Sequence, residues 1–305
     1  MIPMNRKVSF RMTRKLSNDR AIESRAATQS AFPARPSPVS WMQSVFVSLL
    51  ALSLFLFPKV APAAQDSRIS SWLAETGNVV FQDYKNYYSP KNLAMLGLGL
   101  GVGGALANTS ADREVREWYQ DSVRSQTTDD VSKGLEYLGE GLVIVPCFAG
   151  AAILGELTKG TQVGSTVGEW GTRSLRTLVV GAPPALLLRY TLGGSKPTEG
   201  SSHWSPFEGD HSVSGHSFLG AVPFIVAAQM SSSLYWKIPL YMASTLTGLS
   251  RINDDAHYLS QVALGWGLAY LAAASVDQTE IAKRNFSIVP TFGSRAVGLQ
   301  VVFSY

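Results

Sequence analysis

The 305-residue sequence has a single cysteine, Cys147, and only 16% charged residues. One cysteine excludes an internal disulfide, and within GLVIVPCFAG it reads as a buried thiol with no catalytic role. So little charge beside a hydrophobic share of 46% excludes an intrinsically disordered chain. No internal repeat occurs, and 27 glycines and 15 prolines are too near the average for a collagen-like or proline-rich protein. Past residue 63, no apolar run is both free of polar interruption and as long as the about 20 residues of a spanning helix. A stripe of Lys and Arg is also missing. Residues 1–63 hold nine basic and two acidic residues, a net +7 that exceeds the chain's +4, so the remainder is mildly acidic at −3. That distribution excludes nucleic acid as a partner.

The basic charge belongs to a leader. Residues 1–40 are basic and polar, Trp41 to Phe57 is an uncharged apolar run, and Ala61-Pro62-Ala63 offers small residues at a cleavage position. This order is that of a secretory signal peptide, with an uncleaved anchor as the alternative. The body is therefore expected in the periplasm or cell envelope. Residues 64–92 form a polar and aromatic lead-in, 93–280 a helical domain, and 281–305 a tail.

Six apolar segments follow the lead-in: Leu93–Ala107, Gly141–Gly155, Thr177–Leu188, Ser217–Trp236, Ile238–Leu249 and Tyr258–Val276. Their lengths and Gly/Ala content suit helices. Charges cut the first three short, and Gln229 and Gln261 interrupt the longer ones. This pattern predicts a soluble or peripherally attached bundle, an integral envelope protein being the alternative. The tail alternates Val297, Leu299, Val301, Phe303 and Tyr305 with other residues, and the period of two predicts a hairpin packed on the bundle.

All four histidines, His203, His211, His216 and His257, fall within one window. Three clusters share it: Arg189 to Pro197 (RYTLGGSKP), Val213 to His216 (VSGH), and Ser250 to Gln261 (SRINDDAHYLSQ). Arg189, Lys196 and Arg251 supply three cations suited to phosphate oxygens. The glycine pairs and Ser214-Gly215 let backbone amides approach an anion. His216 and His257 can attack, accept or donate a proton near neutrality. On a helix Gln261 shares a face with His257 and can hold its ring, and Asp254 can serve as a second orienting group. His203 and His211 lie in a polar loop and read as solvated or structural residues.

In order and spacing the clusters resemble the type 2 phosphatidic acid phosphatase and vanadium haloperoxidase superfamily, whose motifs read KxxxxxxRP, PSGH and SRxxxxxHxxxD. The resemblance covers roughly residues 90–277. It implies an all-α, six-helix phosphatidic acid phosphatase-like bundle, here with the short C-terminal β-hairpin. It implies that His257 is the nucleophile and forms a phosphohistidine. His216 is then the acid, and Arg189, Lys196, Ser214, Gly215 and Arg251 bind phosphate. Gln261 stands where the motif has aspartate. Its oxygen accepts an imidazole N–H but carries no charge to stabilise an imidazolium. The expected activity is metal-independent hydrolysis of a phosphomonoester or diphosphate, an acid phosphatase or phosphatidic acid phosphatase-type reaction. Its expected partners are a phosphorylated lipid, a small phosphate ester and the membrane. The alternatives are a vanadate-dependent haloperoxidase, with vanadate as cofactor, or a weakened phosphate-binding scaffold.

Overall fold

The computed structural model describes residues 67–293 and 296–303, with side-chain environments for 74–283. The leader expected over 1–63 lies outside them. The helices are α1 (Ser67–Tyr87), α2 (Pro90–Ala107), α3 (Ala111–Ser122), α4 (Gln126–Glu136), α5 (Gly141–Leu157), α6 (Gln162–Leu192), α7 (Gly215–Met230), α8 (Leu234–Ala243), α9 (Leu246–Asn253) and α10 (Leu259–Asn285). A 3-10 turn, Tyr137–Gly139, joins α4 to α5.

Local chemistry accounts for the boundaries. Ser89 accepts from the Asn92 amide and Pro90 opens α2, a residue that needs no intrahelical donor at that position. Ser125 and Thr128 form a reciprocal capping box at α4. Thr161 caps α6 and Ser214 caps α7 through their side-chain oxygens. Gly193 ends α6 at φ 60°, where an added Cβ would lie 1.8 Å from the Ser205 carbonyl oxygen. Only glycine fits that turn.

α10 is the central helix and packs on α7, α6, α1 and α2. Val180, Ala221, Val222, Ile225, Leu268, Ala269 and Ala272 are buried in the core between them. Away from the histidine clusters, a charged network ties α1, α6 and α10. Arg176 grips the fully buried Asp83 with two hydrogen bonds, 2.8 and 2.7 Å, and also binds Glu280. Arg173 beside it bonds Asp277 at 3.0 Å and Glu169. Arg176 is thus not an edge marker of a short helix, as its place in the sequence suggests. It is 7% exposed inside a longer one.

The expected six-helix bundle with a C-terminal β-hairpin is corrected. The architecture is helical and contains more helices than six among the described residues. The lead-in is itself helix α1, and the polar stretch after residue 110 is the pair α3 and α4. The run Ile238–Leu249 breaks at Ser244 and Thr245, and Ser217–Trp236 breaks at Ser231–Ser233. Hydroxyl side chains there bond to nearby backbone groups in competition with the helix. A hairpin packed on the bundle is not supported. Along Phe286–Gly293 and Ala296–Phe303 the backbone pairs with itself alone and supplies no strand to the helical core. Two strands with no third layer over them add little to a fold. Cys147, expected to be buried, is exposed on α5.

By length and composition, one described helix, Leu259–Lys283 within α10, could cross a membrane, and 67% of its apolar window is buried inside the protein. The number rises to three if the bent pairs Pro90–Ala107 with Ala111–Ser122 and Gln126–Gly139 with Gly141–Leu157 are each one span.

Candidate active site

The third cluster is built by a helix end. α9 stops at Asn253, and Asp255 takes the left-handed conformation at φ 54°. The Ala256 and His257 amides both donate back to the Arg251 carbonyl, at 2.9 and 3.2 Å. The Ala256 bond, with that from the Asp255 amide to the Ile252 carbonyl at 3.1 Å, closes a Schellman turn, and the His257 bond extends it. It explains the spacing of six between Arg251 and His257, because the turn folds the histidine back over the arginine's own backbone. A non-glycine residue is unfavourable in that conformation. Arg116 holds Asp255 there with paired bonds of 2.6 and 2.5 Å.

α10 then begins, and Gln261 is its third residue. Gln261 Oε1 accepts from the Tyr258 amide at 3.2 Å, the backward half of a capping box, and from His257 Nδ1 at 2.8 Å. Gln261 Nε2 donates to the Ser195 carbonyl at 2.8 Å. These three bonds fix the amide's orientation, and the amide fixes the imidazole. Nδ1 of His257 must carry the proton, so Nε2 keeps its lone pair. Burial holds the His257 pKa well below the ordinary imidazole value of 6.5, and the nearby Arg189 charge acts in the same sense. The ring is therefore neutral at pH 7 and able to attack an electrophile.

The first and second clusters are stitched to the third. The Ser214 amide donates to the Gln261 carbonyl at 2.9 Å, and the His211 amide to the Gly194 carbonyl at 2.9 Å. Ser214, fully buried, caps α7, whose first turn opens at Gly215 and His216. Helix N-termini of this kind present amides and a positive dipole to anions. His216 Nε2 lies 3.1 Å from Glu140 Oε2. The hydrogen bond from His216 pulls the Glu140 carboxyl below its ordinary value of 4.5.

All three expected phosphate-binding cations already hold carboxylates. Arg189 binds the Asp210 backbone carbonyl and its carboxylate, the latter at 3.3 Å. Lys196 lies 3.6 Å from Glu199. Arg251, 3% exposed, binds Glu136 at 2.9 Å and also Asp254. Asp254, expected beside His257, instead spends its hydrogen bonds on Arg251, Ser132 and Asn253. One donor is left over: Arg251 Nε is buried and has no hydrogen-bond partner among the described residues. A buried guanidinium N–H without an acceptor is costly and suits an incoming anionic oxygen.

The structure brings Arg189, Ser214, Gly215, His216, Arg251, His257 and Gln261 to one region. It also brings in two residues to which the sequence gave no catalytic or binding role. Glu140 gave no signal beyond being a charge at the edge of an apolar run. His211, expected to be solvated or structural, is 6% exposed, and its ring centroid lies 6.1 Å from that of His257. His203 is exposed. No group of three His, Cys, Asp or Glu side chains among the described residues could hold a metal ion.

Two expectations concern the Glu140–His216 contact. A Cβ added at Gly139 would lie 2.8 Å from His216 Cβ and from its carbonyl oxygen. Gly139→Ala should therefore displace His216 and lower turnover by about tenfold or more, measured as kcat on a phosphate ester. Secondly, Glu140 has a depressed folded-state pKa, so its contribution to stability is complete above its ordinary value and fades as pH falls through the lowered one. The melting-temperature gap between wild type and Glu140→Gln should be full at pH 7 and close as the pH falls through the lowered Glu140 pKa, on the acid side of 4.5. An equal gap at both pH values would contradict the pairing.

Comparison with known proteins agrees with the motifs. Residues 165–281 match the model of the PAP2 superfamily. That match bears out the resemblance carried by the three clusters. Among solved structures, the fold is similar to that of the first transmembrane PAP2 type phosphatidylglycerolphosphate phosphatase from Bacillus subtilis. The TM-score is 0.51 at 19% identity, over 63% of this chain and 96% of that one. At that identity the likeness is one of fold. A search of curated proteins gives no match.

Proposed function

We propose, from the PAP2 match over residues 165–281, that this protein is a membrane-associated phosphatase that hydrolyses phosphate esters, lipid phosphates above all, through a phosphohistidine at His257. The observation that carries the reading is the His257–Gln261 bond, which leaves a neutral imidazole with its Nε2 lone pair available. Nε2 attacks phosphorus, the bond to the leaving oxygen breaks, and the His216–Glu140 couple gives that oxygen a proton. Water then attacks phosphorus, the N–P bond breaks, and the water's proton returns to the couple. Arg251 Nε and the first turn of α7 hold the equatorial oxygens. These steps use only this chain's side chains and amides, so the reading requires no metal.

The preference for lipid rests on the exposed apolar surface. Leu234, Tyr235, Trp236, Ile238 and Met242 on α8 are all at least 60% exposed, and Leu246 and Leu249 are exposed on α9, the helix that carries Arg251. Apolar side chains gathered this densely on a surface suit an acyl chain or a bilayer. The PAP2-type neighbour, described as transmembrane, supports a membrane setting. The leader of residues 1–63 supports an envelope location. The test is phosphate release from phosphatidic acid in vesicles and from a soluble aryl phosphate, with His257→Ala as control. Release from the lipid well above the variant supports the proposal. Release from neither substrate above the variant rejects it, and release from the aryl ester alone rejects the lipid preference.

A further inference from the structure

We infer that Asp210 and His211 form a second Asp–His pair of this site, a positioning pair that sets the Arg189 guanidinium beside the nucleophilic imidazole. The inference rests on the phosphatase reading and adds a role that the three motifs do not contain. Its geometry is a chain of contacts. Asp210 Oδ1 lies 2.7 Å from His211 Nδ1. The other oxygen of the same carboxylate accepts from Arg189 Nη2 at 3.3 Å, and the Asp210 backbone carbonyl accepts from Arg189 Nε. On its other side, the His211 ring is tilted 47° against that of His257 at a centroid distance of 6.1 Å. One buried imidazole thus spans from the carboxylate that orients Arg189 to the ring that would carry the phosphoryl group.

The backbone locks this arrangement. The His211 backbone amide donates to the Gly194 carbonyl, and the side-chain amide of Gln261 donates to the carbonyl of the adjacent Ser195. Glu199, which also lies 3.6 Å from Lys196, comes within 4.0 Å of His211 Nδ1. A merely solvated loop histidine needs none of these links. Burial, helped by the Arg189 and Lys196 charges, pushes His211 down to about 4, so it is neutral at pH 7. A neutral ring that donates an Nδ1–H hydrogen bond to a carboxylate keeps its proton and leaves the Asp210 charge available to Arg189. It also adds no cation beside His257.

The pair also answers the substitution in the third motif. Gln261 orients His257 without charge, Asp254 is engaged by Arg251, and Asp255 by Arg116. Asp210 reaches the His257 ring through one intervening side chain, His211, at 2.7 Å from its Nδ1, with Glu199 farther off at 4.0 Å.

The experiment uses full-length protein and three variants. Asn can place an amide N–H where the histidine Nδ1–H stands, and Gln places its amide near the Nε2 position. His211→Ala should raise KM, and weaken inorganic vanadate binding measured by calorimetry, by between about tenfold and a hundredfold, as losing an orienting partner does. His211→Asn should restore both to within a few-fold of wild type, and His211→Gln should not. Circular dichroism melts check that each variant folds, and if His211→Ala does not, the comparison of His211→Asn with His211→Gln decides. An active wild type with all three variants equal to it in KM and vanadate affinity overturns the inference and leaves the phosphatase reading standing. Recovery by Gln rather than Asn also overturns it. A wild type that neither releases phosphate above His257→Ala nor binds vanadate defeats the underlying reading, and this inference falls with it.

Discussion

His257→Ala is expected to lower kcat for phosphate release by roughly a thousandfold or more, with KM changed only a few-fold. Removing a nucleophile abolishes the covalent route outright, and in enzymes whose groups act as a unit the loss reaches about a millionfold. KM should hold because the groups that would bind phosphate stand on other elements. Arg251 is on α9, Ser214 and Gly215 open α7, and Arg189 is on α6. The same variant should fail to trap label from a radiolabelled substrate. Wild type quenched in alkali should retain it as an acid-labile phosphoramidate. The pH profile adds a second check. The wild-type imidazole is held well below 6.5, so kcat/KM should fall only when the medium is well on the acid side of that value. Residual turnover in His257→Ala above a hundredth of wild type would mean that another group attacks phosphorus.

The second large effect is at Gln261. Gln261→Leu removes the acceptor for His257 Nδ1 and for the Tyr258 amide, and the donor to the Ser195 carbonyl, in a residue 1% exposed. Leaving these groups without partners costs about 1–3 kcal/mol for each that water cannot reach. We expect roughly 2–5 kcal/mol lost in denaturant unfolding. The imidazole also loses the bond that selects its tautomer. In a serine-protease triad the wrong tautomer costs about ten-thousandfold in kcat. The expectation here is a loss of roughly a hundredfold to ten-thousandfold. Gln261→Glu sharpens the argument. A carboxylate favours the protonated imidazole, so the His257 pKa rises and the acid limb of kcat/KM moves to higher pH. The new oxygen also faces the Ser195 carbonyl with no hydrogen to offer. A carboxylate at this position should therefore slow the enzyme at neutral pH. If Gln261→Glu instead speeds turnover at pH 7, glutamine is a weakened orienting group, and the bond to Ser195 is incidental.

These expectations separate two ways in which a residue can be recognised. Gln261 was legible in the sequence because the helical repeat puts residues four apart on one face, and that local rule survives any packing. Its third bond, to Ser195, spans 66 residues and follows from no periodicity. His211 shows the same limit more sharply. Its neighbours in the chain are polar and loop-forming, so its composition suggested a solvated or structural residue. In the fold it is buried, its amide held by the Gly194 carbonyl and its ring beside that of His257. Glu140 sits 76 residues from His216, and the 3-10 turn that delivers it has no sequence signature of its own.

What the sequence determined by itself is whatever depends on neighbours within a turn or two. That includes the helical character of the apolar runs, the three clusters and their order, and the pairing of His257 with Gln261. What only the tertiary structure decided is whatever depends on charges meeting across the fold. Glu136 went to Arg251, Asp255 to Arg116, and Asp210 to Arg189. Several arginines and carboxylates lie in reach of each other in sequence, and their pairing follows from which helix faces which. Electrostatic attraction varies slowly with distance, whereas helix packing admits few arrangements, so the packing chooses the partners and the charges follow.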